Sequence, residues 1–491
     1  MLFCIATGPT LLEAKNTVNQ ALNKAQGIEL RFDLFQTIDL KGIKELVDAL
    51  GHSRSIKLLF TLRPVRQGGE YKGSEESRLS LLKELCALGP DYVDLECDVP
   101  LQHWKEFAAQ FPKIQFICSF HDFVHAPKDL DKLLSNMKNP YASIYKIAVM
   151  AHASHDALHM MEFVRRNKET CQLIGIAMGE AGVISRVLGP VAGNYFDYAS
   201  VFQTTAPGQL SIEQMEKPYR HSQLNTKTAL YGLIGYPTEK SLGHKIHNAV
   251  FEAHRANAVY VKMPVRPEEL SSFIESAKAL PFKGLSVTMP LKEEVLRSLD
   301  SLSLSAQAIG AVNTIVVENG KWIGHNTDGI GALNAVEAKI PVKDKQVLII
   351  GAGGAAKAII YEALQRGAHV TVLNRTASKA KALASLYHCE GGGFELFPKV
   401  LKKGYDILIN TIPEGELIDE EWILPNSVAM DIVYIPKNTP FLLKASRKNC
   451  SLVFGYEMFI GQAIEQQLIW FPENKGSMLR QIIEPIVLAE F

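Results

Sequence analysis

A lysine inside an otherwise apolar run is the first residue whose placement points to chemistry. Lys146 stands in Ile144-Tyr145-Lys146-Ile147-Ala148-Val149. Burial of an ammonium group disfavours its charged form, so desolvation and neighbouring arginines are expected to lower its pKa from about 10.4 toward neutrality. A neutral amine can attack a ketone and form a Schiff base. The alternative is a structural cation whose side chain reaches out to solvent.

Other polar residues follow neighbouring apolar runs in the first part of the chain. They are Glu29, Arg31, Arg63, His121, Arg186, Thr205 and Gln209. If these runs are strands of one parallel barrel, the side chains collect at the carboxyl ends of the strands, where such barrels carry their chemistry. One face would then hold a lysine, a histidine, three arginines, and amide or hydroxyl donors. Taken alone, His121 also suits a hydrogen-bonded core histidine.

A glycine-rich turn marks the second half of the chain. Gly351-Ala352-Gly353-Gly354-Ala355 follows the apolar run 346–350 and precedes a helical stretch to about Gln365 and a strand at 369–373. This order is typical of a dinucleotide-binding βαβ unit, in which glycines admit the pyrophosphate and the helix amino terminus attracts it. A tight strand-to-helix connection is the alternative.

The residues after that second strand distinguish NADP from NAD. An NAD site usually has an acidic residue there for the ribose 2′-hydroxyl. This chain has Asn374-Arg375-Thr376, with Lys379 one turn further on. Two cations suit a 2′-phosphate, so the pattern favours NADP. Without the glycine turn, both would be ordinary surface charges.

These side chains need a scaffold, and the first part of the chain predicts a (β/α)8 barrel. Eight short apolar or β-branched runs alternate with stretches of helical spacing such as 77–85. The runs are 2–6, 28–32, 56–62, 92–96, 114–120, 144–149, 173–178 and 198–202. We therefore expect an α/β protein whose barrel closes near residue 205, followed by a separate α/β segment.

Composition limits the classes of function. The 491 residues are 47% hydrophobic and 21% charged, which is typical of about three globular domains. Lys plus Arg and Asp plus Glu are both 52, so no net charge attracts nucleic acid or an anionic membrane. Seven scattered cysteines without a C-x-x-C pair predict free thiols. With no leader or long apolar run, we expect a cytoplasmic protein without a membrane span.

Histidine spacing gives a weak indication of a metal site. The imidazoles of His152, His155 and His159 share helical spacing, but no cysteine or H-E-x-x-H pattern accompanies them. We interpret them, with His244 and His247, as residues of solvated helix faces. The expected metal content is none.

The first part of the chain resembles the type I 3-dehydroquinate dehydratases over nearly all of 1–215. The matching motifs are Glu29-Leu30-Arg31, Thr61-Leu62-Arg63 before Gly68-Gly69, Ser119-Phe120-His121-Asp122-Phe123, Lys146-Ile147-Ala148, Met178-Gly179 with Ser185-Arg186, and Ala206-Pro207-Gly208-Gln209. The resemblance implies a dehydration without metal or cofactor. Lys146 would form an imine with the substrate ketone, and His121 would remove the α proton and then protonate the departing hydroxyl. Arg186 and Gln209 would hold the carboxylate side.

Two positions depart from this family. Gln67 stands where a glutamate is usual. Its amide can orient His121 through a hydrogen bond but supplies no negative charge, so we expect a lower imidazole pKa and an altered pH dependence. Thr205 replaces the usual serine and keeps the hydroxyl, so we expect little effect.

The second part resembles the shikimate dehydrogenases over about 229–491. The matching motifs are Ser286-Val287-Thr288-Met289-Pro290-Leu291-Lys292, Gly310-Ala311-Val312-Asn313-Thr314, Gly324-His325-Asn326-Thr327-Asp328-Gly329, and Gly455-Tyr456-Glu457-Met458 leading to Gln462-Ala463. The resemblance implies that Lys292 and Asp328 handle the proton of the substrate hydroxyl, and that Gly455 lies at the cofactor. The implied substrate-binding side chains are Ser241, Thr288, Asn313, Gln462 and, near the carboxylate, Tyr434. Separately, each motif would be an ordinary polar loop.

The order of these motifs predicts the domain organisation. We expect a barrel over 1–212, a polar linker over 213–228, and a substrate domain made of 229–330 plus 456–491. A Rossmann-type nucleotide domain, 331–455, would be inserted between the two parts of the substrate domain.

The serine motif that grips the carboxylate in this family is altered. The usual S-K-S-P reads Ser241-Leu242-Gly243-His244, so one of two serine hydroxyls is absent. Either the affinity for substrate is weaker, or the space at Gly243 admits a substrate with an additional ring hydroxyl, such as quinate.

Together the two resemblances predict consecutive steps toward aromatic amino acids. The first half would convert 3-dehydroquinate to 3-dehydroshikimate without a cofactor, and the second would reduce that product to shikimate with NADPH. The expected partners are these small molecules. Two alternatives remain: a second half that prefers quinate, or one half that is a weak binding or regulatory module. The sequence leaves the oligomeric state open.

Overall fold

Two compact units make up the chain. The computed structural model describes residues 1–51, 56–201, 206–413 and 417–491. The first unit comprises 1–230 with 257–281, and the second comprises 231–256 with 282–491. Among the described helices, none has the length and apolar character needed to cross a membrane.

The first unit is the predicted parallel barrel. Its strands are β1 (Leu2–Ala6), β2 (Gly27–Arg31), β3 (Lys57–Thr61), β4 (Tyr92–Glu96), β5 (Gln115–Asp122), β6 (Ile144–Met150), β7 (Gln172–Met178) and β8 (Asp197–Ser200). They are hydrogen-bonded in the order β7-β6-β5-β4-β3-β2-β1-β8. A backbone bond of 2.9 Å from Tyr195 N to Leu173 O links the segment before β8 to β7. The barrel is therefore nearly closed, as the eight apolar runs predicted.

Helices follow the barrel strands in alternation. They are α1 (Leu11–Ala21), α2 (Leu40–Gly51), α3 (Glu75–Cys86), α4 (Leu101–Gln110), α5 (Leu130–Met137), α6 (Ser154–Asn167), α7 (Val183–Val187) and α8 (Gly189–Ala192). Local sequence sets several starts: the hydroxyl of Ser74 accepts from the backbone of Ser77 and caps α3. Aromatic side chains such as Phe3, Tyr92 and Phe196 form part of a buried hydrophobic cluster in the barrel.

Two segments near the predicted linker differ from expectation. The stretch 213–228 contains helix α9 (Ile212–Tyr219), because Ser211 and Gln214 form a capping box and Met215 is buried. The segment 257–281, with β10 (Ala258–Pro264) and α11 (Leu270–Lys278), belongs to the first unit. The Ser154 hydroxyl of α6 donates to Pro264 O at 2.6 Å. The three-domain division itself stays a prediction.

The second unit contains a mixed sheet. Five of its strands are β9 (Ala229–Gly235), β11 (Phe282–Val287), β12 (Ser301–Leu302), β13 (Thr314–Glu318) and β14 (Lys321–His325), which follow one another in the order β9-β11-β13-β14-β12. Its helices are α10 (Gly243–Ala253), α12 (Leu304–Ile309), α13 (Asp328–Glu337), α18 (Gly455–Trp470) and α19 (Gly476–Leu488). β13 pairs antiparallel with β11 and β14, so the loops at 313 and 325–328 meet.

The other sheet of this unit is fully parallel. It comprises β15 (Gln346–Ile350), β16 (His369–Leu373), β17 (Glu390–Gly392), β18 (Ile407–Asn410), β19 (Val428–Asp431) and β20 (Ser451–Val453). The order is β17-β16-β15-β18-β19-β20, which is the Rossmann order with its ligand crevice where β15 meets β18. Helices α14 (Gly354–Gln365), α15 (Ala377–Tyr387), α16 (Phe397–Lys403) and α17 (Pro440–Arg447) complete it.

Two glycines allow α13 and α18 to cross in close contact. A β carbon at Gly331 would lie 2.5 Å from the backbone nitrogen of Gln462, and one at Gly461 would lie 2.8 Å from the carbonyl oxygen of Gly331. This approach brings the start of α13, at Asp328, beside the residue predicted to bind substrate from α18, Gln462.

Candidate functional site

A cavity at the carboxyl ends of the barrel strands collects the residues predicted for the first site. Its lining includes Glu29, Arg31, Arg63, His121, Lys146, Arg186 and Gln209. Thr205 lies outside the described residues. Gln67, Phe123 and Tyr198 also line the cavity. The barrel therefore brings residues that are distant in the sequence to one cavity, as the alternation of strands and helices predicted.

Lys146 is buried in this cavity, with only 5% of its surface exposed. Its Nζ lies 3.2 Å from Asp94 Oδ2 and 4.3 Å from the centroid of the Tyr198 ring. Burial lowers the pKa of the lysine, while the Asp94 carboxylate opposes that change and the Arg63 guanidinium adds to it. The lysine is therefore an inward-facing group with one carboxylate partner, which excludes the interpretation as a solvated structural cation.

Asp94 and Glu96 are buried carboxylates beside Arg63 that the sequence analysis did not single out. Both are fully buried on β4, where alternation of side chains turns both inward. Arg63 donates to both oxygens of Asp94 at 3.0 and 2.6 Å and to Glu96 Oε1 at 2.9 Å. Ion pairing with Arg63 and Lys146 lowers the pKa of Asp94 despite its burial. Two carboxylates at alternate positions of an apolar run were the available signal.

His121 is held differently from the predicted arrangement. The Gln67 side-chain oxygen accepts from the backbone N–H of His121 at 2.9 Å, so this amide does not orient the ring through that bond. The Nδ1 atom is buried without a hydrogen-bond partner. Burial, and then the cations Arg63 and Lys146, lower the pKa of the imidazole well below its usual value. This lowering comes from burial and neighbouring cations, so the expected effect of Gln67 on the pKa of His121 stays a prediction.

Arg186 is distinguished from the other arginines of the cavity by its partners. Arg31 pairs with Asp33 at 2.8 Å and Arg63 with Asp94 and Glu96. Arg186 donates to the Pro207 carbonyl at 3.2 Å, while its Nε is buried without a partner. Burial lowers its pKa to about 10. Among the described residues it forms no ion pair, so its charge remains available to an anion.

Two glycines place the last loop of the cavity. Gly208 has φ +72°, and a β carbon there would lie 2.2 Å from the Gly179 carbonyl oxygen. Gly179, with φ +84°, donates its N–H to Pro207 O at 3.1 Å. Only glycine suits this close approach, which brings Gln209 to the cavity beside Arg186.

In the second unit, Lys292 and Asp328 form an ion pair. Lys292 Nζ lies 2.6 Å from Asp328 Oδ2, and the carboxylate is almost completely buried. Asp328 is the first residue of α13, and Thr327 is the cap position. The Asp328 carboxylate therefore binds Lys292 and Asn313 and does not serve as an ordinary helix cap.

Asn313 is the centre of this second site. Its Nδ2 donates to Asp328 Oδ1 at 2.8 Å and to Thr327 Oγ1 at 2.9 Å. Its Oδ1 accepts from Thr314 Oγ1 and from the Thr327 backbone. Thr327 in turn donates to the Gln462 carbonyl at 3.1 Å. These bonds fix the carboxylate and connect it to α18; direct binding of ring hydroxyls by Asn313 stays a prediction.

Three other predicted substrate residues have partners outside the pair formed by Lys292 and Asp328. The Ser241 hydroxyl accepts from the Gly243 N–H at 3.2 Å, at the start of α10. The Thr288 N–H donates to Ile234 O at 2.9 Å. Tyr434 stacks on Phe459 with ring centroids 5.5 Å apart, and burial raises its pKa. No hydrogen bond or ring contact of the described residues links these three directly to Lys292 or Asp328.

The glycine turn has the geometry of a phosphate-binding loop. Gly351 has φ +118°, and Gly353 and Gly354 stand at the amino terminus of α14. A β carbon at Gly353 or Gly354 would meet no atom within 4 Å, so this end of the helix is open. Ala352 and Ala355 complete the turn. The helix terminus and open backbone therefore fit a pyrophosphate.

The predicted 2′-phosphate residues lie at the end of β16. Asn374 donates to Thr376 O at 3.1 Å, and Arg375 and Lys379 are exposed. Neither cation has an ion pair with a described residue. Gly455 is the first residue of α18. A β carbon at this position would lie 2.5 Å from Val433 O, so close backbone packing explains why a glycine occupies it.

The histidines singled out by their spacing differ in their surroundings. Within the ranges covered by the structure, no group of three or more His, Cys, Asp or Glu could hold a metal. His152 Nε2 lies 2.8 Å from Val124 O. His247 is buried, because its ring packs 5.1 Å from that of Trp470, so the prediction of a solvated face was wrong there.

Family models match both parts of the chain. "Type I 3-dehydroquinase" matches residues 2–226, "Shikimate dehydrogenase substrate binding domain" matches 233–315, and "Shikimate / quinate 5-dehydrogenase" matches 334–428. A solved shikimate dehydrogenase in complex with NADP+ is 37% identical, with a TM-score of 0.50, and covers 54% of this chain and 97% of its own.

Two curated relatives align along both halves. The shikimate biosynthesis protein AroDE of Chlamydia pneumoniae is 34% identical over 96% of each chain. A chloroplastic bifunctional 3-dehydroquinate dehydratase/shikimate dehydrogenase of Arabidopsis thaliana is 32% identical over 89% of this chain and 76% of its own. This chain therefore belongs to the family of bifunctional proteins that join a type I 3-dehydroquinate dehydratase to a shikimate dehydrogenase.

Proposed function

We propose that the first unit dehydrates 3-dehydroquinate through an imine on Lys146. The burial of Lys146 beside Asp94 is the observation that supports this most directly. Burial lowers the pKa of the amine, and a larger neutral fraction can attack the substrate ketone. Attack forms the carbon–nitrogen bond, and loss of water from the adduct gives the imine, which stabilises the carbanion formed at the α carbon.

His121 is the proposed proton carrier. Its lowered pKa keeps the imidazole neutral at pH 7, so it can accept the α proton. The resulting imidazolium lies among Arg63 and Lys146, which disfavour a second positive charge. The proton is therefore readily returned to the departing hydroxyl, which leaves as water. Hydrolysis of the product imine then releases 3-dehydroshikimate and restores the lysine.

The carboxylate of the substrate is assigned to Arg186 and Gln209. Arg186 is the cavity arginine without a carboxylate partner, and an anion that displaces water there gains a charge-assisted hydrogen bond. This explains how a chain with no net charge can bind an anionic substrate: the cation is local and buried.

We propose that the second unit reduces 3-dehydroshikimate to shikimate. Asp328 holds Lys292 at 2.6 Å, and the ammonium can donate a proton to the substrate oxygen as the ketone becomes a hydroxyl. Asn313 keeps the carboxylate in place. Ser241, Thr288, Gln462 and Tyr434 are the proposed contacts to the remaining hydroxyls and carboxylate.

NADPH is the proposed reductant. The turn from Gly351 to Ala355 would hold its pyrophosphate, and Arg375 with Lys379 its 2′-phosphate, supported by Asn374 and Thr376. When bound, this dinucleotide supplies the hydride. All seven cysteines are free thiols, which supports a reducing compartment such as the cytoplasm.

NADPH consumption with 3-dehydroquinate as the added substrate tests both proposals. Wild-type protein should oxidise NADPH, because its first unit supplies the substrate of the second. Lys146→Met should lower this rate by about 10³-fold or more, since the nucleophile is lost. Added 3-dehydroshikimate should restore oxidation by the variant, which also serves as the folding control. No oxidation by wild type would contradict the combined function.

Borohydride reduction tests the imine itself. With 3-dehydroquinate, the wild-type protein should gain a covalent adduct on the peptide that contains Lys146, and Lys146→Met should gain none. Mass spectrometry of the digested protein is the measurement. An adduct elsewhere, or none in wild-type protein that dehydrates its substrate, rules out this mechanism.

Gln67→Glu should raise the pKa of His121, because a carboxylate beside the imidazole stabilises its charged form. The base must be neutral, so the acidic limb of the kcat profile should move to higher pH by about one unit. Gln102→Glu, on the outer helix α4, is the matched control. An unchanged profile for Gln67→Glu would mean that this position does not influence the charge state of the His121 imidazole.

Arg375→Ala and Lys379→Ala test the cofactor assignment. Each should raise the KM for NADPH about 10- to 100-fold, because a hydrogen bond to a charged phosphate is lost, with little change for NADH. Lys381→Ala, an exposed lysine on the same helix, is the control. Equal effects on both dinucleotides would contradict binding of the 2′-phosphate.

Quinate oxidation is the second candidate function. It is favoured by Gly243, which contributes no side-chain hydroxyl beside Ser241 at the start of α10. Comparison of kcat/KM for shikimate and quinate decides, with Gly243→Ser as the matched variant. We expect shikimate to be preferred; a higher value for quinate would reverse the order.

A further inference from the structure

A line of buried charges leads away from Lys146 through the barrel wall. Lys146 shares Asp94 with Arg63, and Arg63 also donates to Glu96 Oε1. The second oxygen of Glu96 lies 2.9 Å from an NH1 nitrogen of Arg78. Positive and negative groups alternate along this line, so the charge state of each depends on its neighbours.

Arg78 occupies an unusual position for an arginine. It belongs to α3, yet its side chain is completely buried. Its Nε and NH2 donate to Glu75 at 2.9 and 2.6 Å, and its NH1 donates to the Leu62 carbonyl at 2.9 Å. It does not line the substrate cavity, so any influence on the reaction must pass through its partners.

We propose that Arg78 is a positioning residue of the dehydratase site: it holds Glu96 as a carboxylate, and Glu96 fixes the guanidinium of Arg63 so that Asp94 can also bind Lys146. This inference rests on the proposed imine chemistry at Lys146. It adds a group outside the cavity that determines how the nucleophile is held.

The charges facing Glu96 explain why Arg78 is needed. They are Arg63 from the segment after β3, Arg78 from α3, and Asp94 from β4. Burial and the Asp94 carboxylate favour protonation of Glu96, and its pKa is raised even with both arginines present. Without Arg78, Glu96 becomes a neutral acid and holds Arg63 less firmly. Arg63 then depends on Asp94 alone and competes with Lys146 for it.

The charged and titratable groups that face Lys146 determine in which direction its pKa changes. They are Asp94, Glu29, Arg63, His121 and Tyr198. Loss of negative charge at Glu96 leaves Arg63 less neutralised, and Arg63 lowers the pKa of Lys146. The lysine should therefore titrate at lower pH and be held less firmly by Asp94.

The experiment compares the dehydratase pH profiles of Arg78→Met, Glu96→Gln and the double variant. Arg78→Met should lower the plateau kcat about 10-fold, and the acidic limb of the kcat/KM profile, in which Lys146 of the free enzyme must lose its proton, should move to lower pH by about one unit. Glu96→Gln should move this limb by a similar amount, and the double variant should move the limb no further than either single variant does. Arg78→Lys should recover part of the loss, because it restores the charge.

Two controls separate positioning from folding. Arg66→Met removes an exposed arginine that shares Glu75 with Arg78 but does not contact Glu96, so the limb should stay in place. Reduction of 3-dehydroshikimate by the same samples measures the second unit independently. If Arg78→Met yields no soluble protein, Glu96→Gln decides: an unmoved limb overturns the proposal.

Other results also count against Arg78. A wild-type pH profile for Arg78→Met means that Arg78 does not act through Glu96. The same conclusion follows if adding Arg78→Met to Glu96→Gln moves the limb by as much again as Arg78→Met moves it alone. Failure of borohydride to label wild-type Lys146 would instead contradict the proposed function. If borohydride labels Lys146 of the wild-type protein but Arg78→Met leaves the limb in place, this inference alone is contradicted.

Discussion

An ammonium group removed from water needs a carboxylate beside it, and both units are organised around one such pair. Lys146 lies 3.2 Å from Asp94 in the barrel, and Lys292 lies 2.6 Å from Asp328 in the second unit. Removing one partner of a fully buried pair such as that of Lys146 and Asp94 costs about 3–5 kcal/mol. The elements that position these carboxylates, β4 and the start of α13, are therefore as important as those that carry the lysines.

The two pairs differ in burial and in competition for the carboxylate. Asp94 is shared between Lys146 and Arg63, and burial lowers the pKa of the lysine, which suits the proposed attack of this amine on a carbonyl. Asp328 binds one cation and the Asn313 amide, while Lys292 keeps part of its surface accessible. That arrangement suits the proposed transfer of a proton from Lys292 to a substrate oxygen. Similar residue pairs thus support different chemistry because their surroundings differ.

Periodicity predicted most of the fold because the barrel strands are buried along most of their length. The run 92–96 was recognised as a strand, but its two carboxylates were not recognised as partners of Lys146 and Arg63. That pairing depends on the register between β3, β4 and β6, which one-dimensional spacing does not contain. Arg78 was missed for another reason: in a helix with charged neighbours it resembles a surface residue, and only the packing of α3 shows its burial. The bond from Gln67 to the backbone of His121, and the helix at 212–219, likewise depend on local geometry.

The crossing of Gly331 with Gly461 has a consequence for the order in which the protein matures on the ribosome. The helix that carries Asp328 is synthesised before the whole parallel sheet β15–β20, and its partner helix α18 is synthesised after it. The described residues that line the barrel site all belong to the first unit, so we expect this site to form while the rest of the chain is still being made. The site around Lys292 must wait for α18. A nascent chain would therefore acquire its two active sites in the same order in which its substrates are consumed.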